Sequence, residues 1–191
     1  MANSRFVHRR LYRRYEPTHG ARHQHMNRTR RHPLTVDVVV PDSHGRITRI
    51  PPAYVSMSLR RMGPRFYGNP SYANCKLKVG DTEFWGHELF LSWKAQYFRD
   101  VFAAVHNDQY HSDVVIEDAD GMLTGLPVIT LPIEQCRSFD FVEMLYWIYT
   151  GDDDRWLSTF NGDNIDVIAS NIERLGMTEE ARALCRRFTS Q

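Results

Sequence analysis

The chain is organised around residues 84–102, FWGHELFLSWKAQYFRDVF. A strand from Thr82 to Trp85 is predicted to run through Gly86 and His87 into one helix, because the apolar residues that follow recur at helical spacing. One series is Phe90, Trp93, Tyr97 and Val101, and the other is Leu91, Ala95, Phe98 and Phe102. Two adjacent stripes make an apolar face wider than the roughly 100° of a surface helix, so we expect this helix to be enclosed by other elements.

Length and composition allow one substantial domain with a tail. The chain has 191 residues, of which 42% are hydrophobic, and this leaves no room for a second, enzyme-sized domain. It contains no apolar run of the roughly 18 residues that a membrane helix needs. We therefore expect a soluble protein of the nucleus or cytoplasm, without membrane contact. Cys75, Cys136 and Cys185 lack the CxxC spacing of zinc sites, which predicts reduced thiols.

Charge is unevenly distributed along the chain. Residues 1–32 hold nine arginines against one acid, Glu16, giving +8, so the other 159 residues carry −7. Residues 1–32 also have a low content of large apolar residues, which predicts that they form a disordered, Arg-rich tail. Three interpretations of this tail are open: a solvated tail, which we favour, a patch for importin or nucleic acid, and a mitochondrial presequence. The histidines of this tail have no neighbouring residues to hold them in position as metal ligands, so we predict no metal site.

The segments before the central stretch predict a hairpin and a helix. Two β-rich runs flank turn residues 41–45 and indicate a β-hairpin extension within residues 33–52. A helix from Ala53 to Met62 is expected to stop at Gly63 and Pro64. Val55, Leu59 and Met62 form an apolar stripe on that helix.

The segments after the central stretch predict an insertion and three helices. Residues 107–126 indicate a surface insertion with a strand at 114–116. Ser138 is expected to cap a helix that ends at Gly151, followed by a solvated loop at 152–154. A helix opened by Asp163 or Asn164 and a last helix capped by Thr178 complete the chain.

This succession resembles the BTB/POZ domain in its short, fungal-like form. The hallmark residues of that family, in order after a hairpin, are matched by His87, Leu91, Tyr97, Phe98 and Phe102. The flanking strands and helices match at residues 74–80, 129–132, 139–151 and 169–187. The resemblance covers residues 53–189. It implies an α+β fold, a mainly helical cluster capped by a small β-sheet, with the five hallmark residues in the core.

The resemblance also implies a function in protein–protein interaction. Family members self-associate through the helix that carries Val55, Leu59 and Met62 here, which predicts a homodimer. They recruit either a cullin-type ubiquitin ligase scaffold or transcriptional co-regulators. Asn74 and Glu88 stand where the transcriptional members have an Asp and an Arg in a charged pocket, so we expect that co-repressor site to be altered.

The cullin-binding loop of the family is also changed. It carries a hydrophobic residue, any residue and a Glu, which His106, Asn107 and Asp108 replace here. Val105 and Tyr110 are the two candidates to replace the apolar anchor that is missing at position 106. Direct cullin binding is therefore predicted to be weak.

The sequence carries no motif for catalysis. It has no nucleophile elbow, phosphate-binding glycine loop, dinucleotide fingerprint or HExxH helix, so we predict no enzyme, catalytic residue or cofactor. Two alternatives to a general interaction module stay open. One is a dimeric transcriptional regulator that contacts nucleic acid through the Arg-rich tail, and the other is an adaptor of a cullin-type ubiquitin ligase.

Overall fold

The computed structural model describes residues 38–41, 46–116 and 125–190 of the chain. Over these residues the fold is mixed α+β, a helical cluster with two small sheets, as the sequence predicts. The Arg-rich tail over 1–32 lies outside the described residues. So does the part of the 107–126 insertion that follows Ile116, up to residue 124.

The strands form two separate sheets. In the smaller one, β1 (Val38–Pro41) pairs antiparallel with β2 (Ile47–Ile50), as expected of the two β-rich runs. The larger sheet contains β3 (Cys75–Val79), β4 (Thr82–Gly86), β5 (Val114–Ile116) and β6 (Pro127–Thr130), in the order β4-β3-β6-β5. β3 runs parallel to β6, and the other neighbours are antiparallel. The insertion therefore adds β5 to one edge of this sheet.

The described residues form seven helices: α1 (Pro52–Phe66), α2 (Glu88–Lys94), α3 (Gln96–His106), α4 (Phe141–Thr150), α5 (Asp153–Leu157), α6 (Ile165–Arg174) and α7 (Glu179–Thr189). Two helix starts were misassigned from the sequence. Asp140, not Ser138, caps α4, since its carboxylate accepts the Val142 N–H at 2.8 Å. The loop predicted at 152–154 is the start of α5, because the Asp152 carboxylate accepts the Arg155 N–H at 3.1 Å.

α1 does not stop at Gly63 and Pro64, as predicted, but continues to Phe66. Gly63 is buried where α1 crosses the end of α4, and a Cβ at this position would lie 2.1 Å from the Tyr149 carbonyl oxygen. The glycine therefore permits a close helix contact and does not end the helix. Pro64 keeps helical geometry but gives up one backbone hydrogen bond.

The central helix is broken, contrary to the prediction of one continuous helix. Ala95 is extended (φ −145°, ψ 138°) and separates α2 from α3. Its surroundings satisfy the backbone groups that the break leaves open: Gln96 N–H donates to the Gly176 carbonyl, Tyr97 N–H to the Leu175 carbonyl, and Thr178 N–H to the Lys94 carbonyl. Ala95 also forms a β-bridge with Met177. Partners distant in sequence thus stabilise a break that local spacing does not show.

The hallmark residues lie in or against one core. Leu91, Phe98 and Phe102 are buried, and so is His87. Tyr97 is only partly buried, so its assignment to the core holds for the ring alone: the ring packs on the core, while the hydroxyl reaches Asp113. Trp147 of α4 and Trp156 of α5 extend the core, with ring centroids 4.7 Å apart.

Candidate interaction surface

The two sides of α1 have different roles. Leu59 is 6% exposed, and Val55 packs against the same core. This placement corrects the dimer seam predicted from Val55, Leu59 and Met62, because the first two side chains are used by their own chain. Met62 is exposed and stays accessible to a second molecule.

The opposite side of α1, called here the outer α1 face, consists of Tyr54, Met57, Arg61, Met62 and Arg65, all exposed. Tyr54, Arg61 and Arg65 are spaced i, i+7 and i+11, which places them on one line along the helix. Met57 and Met62 lie on either flank of that line. Sequence reasoning missed this face because it followed the inward apolar stripe.

A cleft of about 540 Å³ lies between α1 and the first turn of α7. We call it the α1–α7 cleft; it is lined by Pro52, Ala53, Ser56, Met57, Arg60, Arg61 and Glu180. The Glu180 carboxylate lies 2.6 Å from Lys94 Nζ and 3.4 Å from Arg60. Lys94 is 5% exposed and sits 4.3 Å from the centre of the Trp147 ring. Glu180 therefore neutralises a buried lysine and is not free to attract an outside cation.

Two of the predicted partner-binding residues, Asn74 and Glu88, line a second cleft, of about 380 Å³, and a third, His106, contacts Glu88. The Asn74 side-chain oxygen accepts the Glu88 N–H at 2.8 Å, and the Glu88 carboxylate lies 3.3 Å from His106 Nε2. Leu89, Ser92, Trp93 and Arg99 complete the lining with Asn74 and Glu88. Asn74 thus orients the first turn of α2 and does not form the Asp–Arg pair of the transcriptional members.

Asp108 and Tyr110, the other two predicted residues, lie in the loop after α3 and away from the Asn74–Glu88 contact in sequence. Asp108 has a positive φ of 52°, and Tyr110 is 92% exposed. The far end of this loop is fixed because the Tyr97 hydroxyl donates to the Asp113 carboxylate at 3.0 Å. Burial and the Asp113 carboxylate raise the pKa of Tyr97, so its hydroxyl stays protonated and able to donate. The loop presents Tyr110 to solvent from an anchored base.

The model of one protein family matches this chain: the BTB/POZ domain model matches residues 65–191. The chain belongs to the BTB/POZ family. No curated protein matches the chain at a significant level. BTB domains are protein–protein interaction modules that commonly oligomerise and bind partners, and they are not generally enzymes.

The matched part of this BTB domain begins near the end of α1. The β1–β2 hairpin and most of the outer α1 face precede residue 65 and lie outside the match. One sequence signal marks this region: residues 43–80 contain seven basic residues and no Asp or Glu. The basic residues are Arg46, Arg49, Arg60, Arg61, Arg65, Lys76 and Lys78. The positive charge of the outer α1 face was therefore readable from the sequence.

The described part of the BTB domain shows neither a membrane-crossing helix nor a metal-binding cluster. None of its helices is long and apolar enough to span a bilayer. Within the same residues, no three His, Cys, Asp or Glu side chains converge as metal ligands would. All three cysteines are free thiols, and burial raises the pKa of Cys75 to about 12, which makes its thiolate scarce at neutral pH.

Proposed function

We propose that this BTB domain is a non-catalytic module of the nucleus or cytoplasm that self-associates and recruits a partner protein. The observation that carries the proposal is the outer α1 face. The inward side of α1 fills the core, while the outward side exposes one tyrosine, two methionines and two arginines. Tyr, Met and Arg are the residue types enriched at protein interfaces.

The two methionines separate two uses of this face. Met57 and Met62 are five residues apart, which on an α-helix places them about 140° apart around the axis. Met57 borders the α1–α7 cleft with Arg60 and Arg61. Two copies that met through the Met57 flank would bring these arginines together, and like charges in contact are unfavourable. We therefore assign self-association to the Met62 flank and partner recruitment to the Met57 flank.

Analytical ultracentrifugation tests the self-association. We expect the parent protein to sediment as a dimer at concentrations of about 10 μM or above, and Met62→Asp to sediment as a monomer. Met57→Asp is the matched control, since it places the same charge on another exposed position of the same helix and should remain dimeric. Circular dichroism spectra should be identical for all three proteins. A parent that stays monomeric at every concentration contradicts the proposal.

A cullin-type scaffold is the second candidate partner, and the exposed Tyr110 favours it. Tyr110 lies four residues after His106, on a loop whose end is held by the Tyr97–Asp113 hydrogen bond. An exposed aromatic on an anchored loop provides apolar area at a low cost in conformational entropy. In this candidate function the protein is an adaptor of a ubiquitin ligase, with Tyr110 in place of the missing apolar residue at 106.

A further inference from the structure

We propose that the α1–α7 cleft is a docking site for an acidic peptide segment of a partner protein, with glutamate or aspartate at two alternate positions and an apolar side chain at the next alternate position. This inference rests on the proposed function, because it names the class of partner that the Met57 flank recruits.

The charge balance of the cleft favours an anion. The charged groups in and behind it are Arg60, Arg61, Lys94, Glu180 and Asp153, whose carboxylate interacts with Lys94, and they leave one positive charge uncompensated. Arg61 has no ion pair among the described residues, and α1 contains no acid at all. The nearest carboxylate, Glu180, is held by Lys94 and Arg60. A negatively charged ligand therefore meets no competing carboxylate on α1.

The shape and lining of the cleft favour a peptide over a nucleic acid. Its volume of about 540 Å³ falls within the range of roughly 300–1,000 Å³ typical of binding pockets. Pro52, Ala53 and Met57 provide an apolar wall next to the arginines. A nucleic acid requires a groove that follows a phosphate backbone, usually with aromatic rings for base stacking. Among the residues that line this cleft, none is aromatic.

The spacing of the arginines sets the expected register of the peptide. Arg61 and Arg65 are four residues apart on α1, which is about 6 Å along the helix axis. Alternate side chains of an extended peptide are about 6.6 Å apart on the same side of the chain. Two carboxylates at alternate positions therefore reach Arg61, which lines the cleft, and Arg65, which lies beyond it on the outer α1 face. An apolar residue at the next alternate position lies on the same side of the peptide and meets Met57, which is four residues before Arg61 on α1.

Fluorescence anisotropy with a labelled synthetic peptide tests the proposal. The probe has leucine, glutamate and glutamate at three successive alternate positions; its comparison peptide has glutamine in place of both glutamates. We expect the parent to bind the glutamate peptide at least about tenfold more tightly than the glutamine peptide. Raising the salt from about 50 to about 500 mM should remove most of this difference, since exposed charges are screened.

Two cleft variants and one control locate the site. Arg61→Glu should weaken binding of the glutamate peptide by roughly fivefold or more. Ala53→Phe should weaken binding of both peptides, because the added ring occupies the cleft. Arg137→Glu is the matched control, since Arg137 is exposed, lies outside the cleft and has no ion pair among the described residues. It should bind like the parent.

Three outcomes would overturn the inference. Equal affinity for the glutamate and glutamine peptides would remove the role of charge. Displacement of the bound peptide by an equal concentration of oligo-dT, with oligo-dT binding itself lost in Arg61→Glu, would make the site one for nucleic acid. Monomeric sedimentation of Arg61→Glu would assign the cleft to a second copy of this chain. In each case the Met62→Asp experiment still decides the proposed self-association independently.

Discussion

The hydroxyl of Tyr149 and the ring of His87 form a hydrogen bond of 2.8 Å inside an aromatic cluster. Nε2 of the same ring lies 3.3 Å from the Ser71 carbonyl, which only accepts, so Nε2 carries the proton and Nδ1 accepts from Tyr149. The Tyr149 oxygen in turn accepts the His87 backbone N–H at 3.0 Å. The Phe90 ring stacks on Tyr149 with centroids 4.7 Å apart. This arrangement fits a neutral histidine with a structural role.

The first prediction concerns the acid sensitivity of His87. Burial lowers its pKa, since the imidazolium would lose its hydration, and the Ser71 carbonyl opposes this shift only in part. A folded-state pKa below the unfolded value of about 6.5 means that folding favours the neutral ring. Its stabilising contribution is therefore complete above about pH 6.5 and is lost as the pH falls from there through the lowered folded-state pKa.

Thermal melts from about pH 7.5 to about pH 5 measure this effect. We expect the melting temperature of the parent to fall over this range by more than that of His87→Gln, whose amide does not titrate. Parallel pH profiles for the parent and His87→Gln would contradict the assignment.

The second prediction places Phe98 in the core. Its ring is fully buried on α3, so Phe98→Ala removes apolar contacts and leaves a cavity. We expect a loss of about 3–5 kcal/mol in the free energy of unfolding, measured by urea denaturation. Tyr110→Ala, which removes an exposed aromatic ring, should change it by no more than about 0.5 kcal/mol. Equal midpoints for Phe98→Ala and the parent would show that Phe98 is not a core residue.

The third prediction tests which side of α1 faces inward. Leu59→Ala should lower the free energy of unfolding by about 2–5 kcal/mol, because its side chain is enclosed by its own chain. Met57→Ala, two residues earlier, should change it by no more than about 0.5 kcal/mol, because Met57 is 52% exposed. Urea denaturation of both variants at one protein concentration gives the comparison. The reverse order of effects would require α1 to be rotated on the core.

The fourth prediction concerns direct cullin binding. We expect the parent to bind a cullin N-terminal domain weakly, since a histidine at 106, bonded to Glu88, replaces the apolar anchor. A buried anchor contributes roughly 1.5–3 kcal/mol, so His106→Leu should tighten binding by about one to two decades in calorimetry. Tyr110→Ala should remove the residual binding of the parent if that ring is the substitute anchor. Submicromolar binding by the parent, or no gain in His106→Leu, contradicts the prediction.

Local sequence patterns predicted the elements of this fold better than their ends and faces. Apolar spacing and turn residues placed the β1–β2 hairpin, the strand at 82–85 and most of the helices, since these signals depend on neighbouring residues. The break at Ala95 was not predictable in this way, because the bonds that stabilise it come from residues 175–178. Gly63 was read as a helix stop for the same reason: the Tyr149 carbonyl that requires a glycine lies 86 residues away.

The candidate site was harder to predict than the fold. The apolar stripe of Val55 and Leu59 was assigned to a dimer seam, because spacing alone does not tell whether a chain buries such a stripe against itself or against a copy. Asn74, Glu88 and His106 were chosen by comparison with family positions, and the structure joins them by two contacts. The α1–α7 cleft is lined in part by Glu180, which lies more than a hundred residues beyond α1. No sequence pattern near α1 indicates that this carboxylate lies beside the helix.

The break at Ala95 also affects the order in which the chain can mature on the ribosome. The carbonyl of Lys94 and the amides of Gln96 and Tyr97 are bonded to residues 175–178, which the ribosome adds much later than the break itself. Until residues 175–178 have been synthesised, nothing interrupts the single helix that the apolar spacing of residues 88–102 favours. The break at Ala95 can therefore form only after residue 178 has been synthesised, and a nascent chain arrested before that residue cannot complete it.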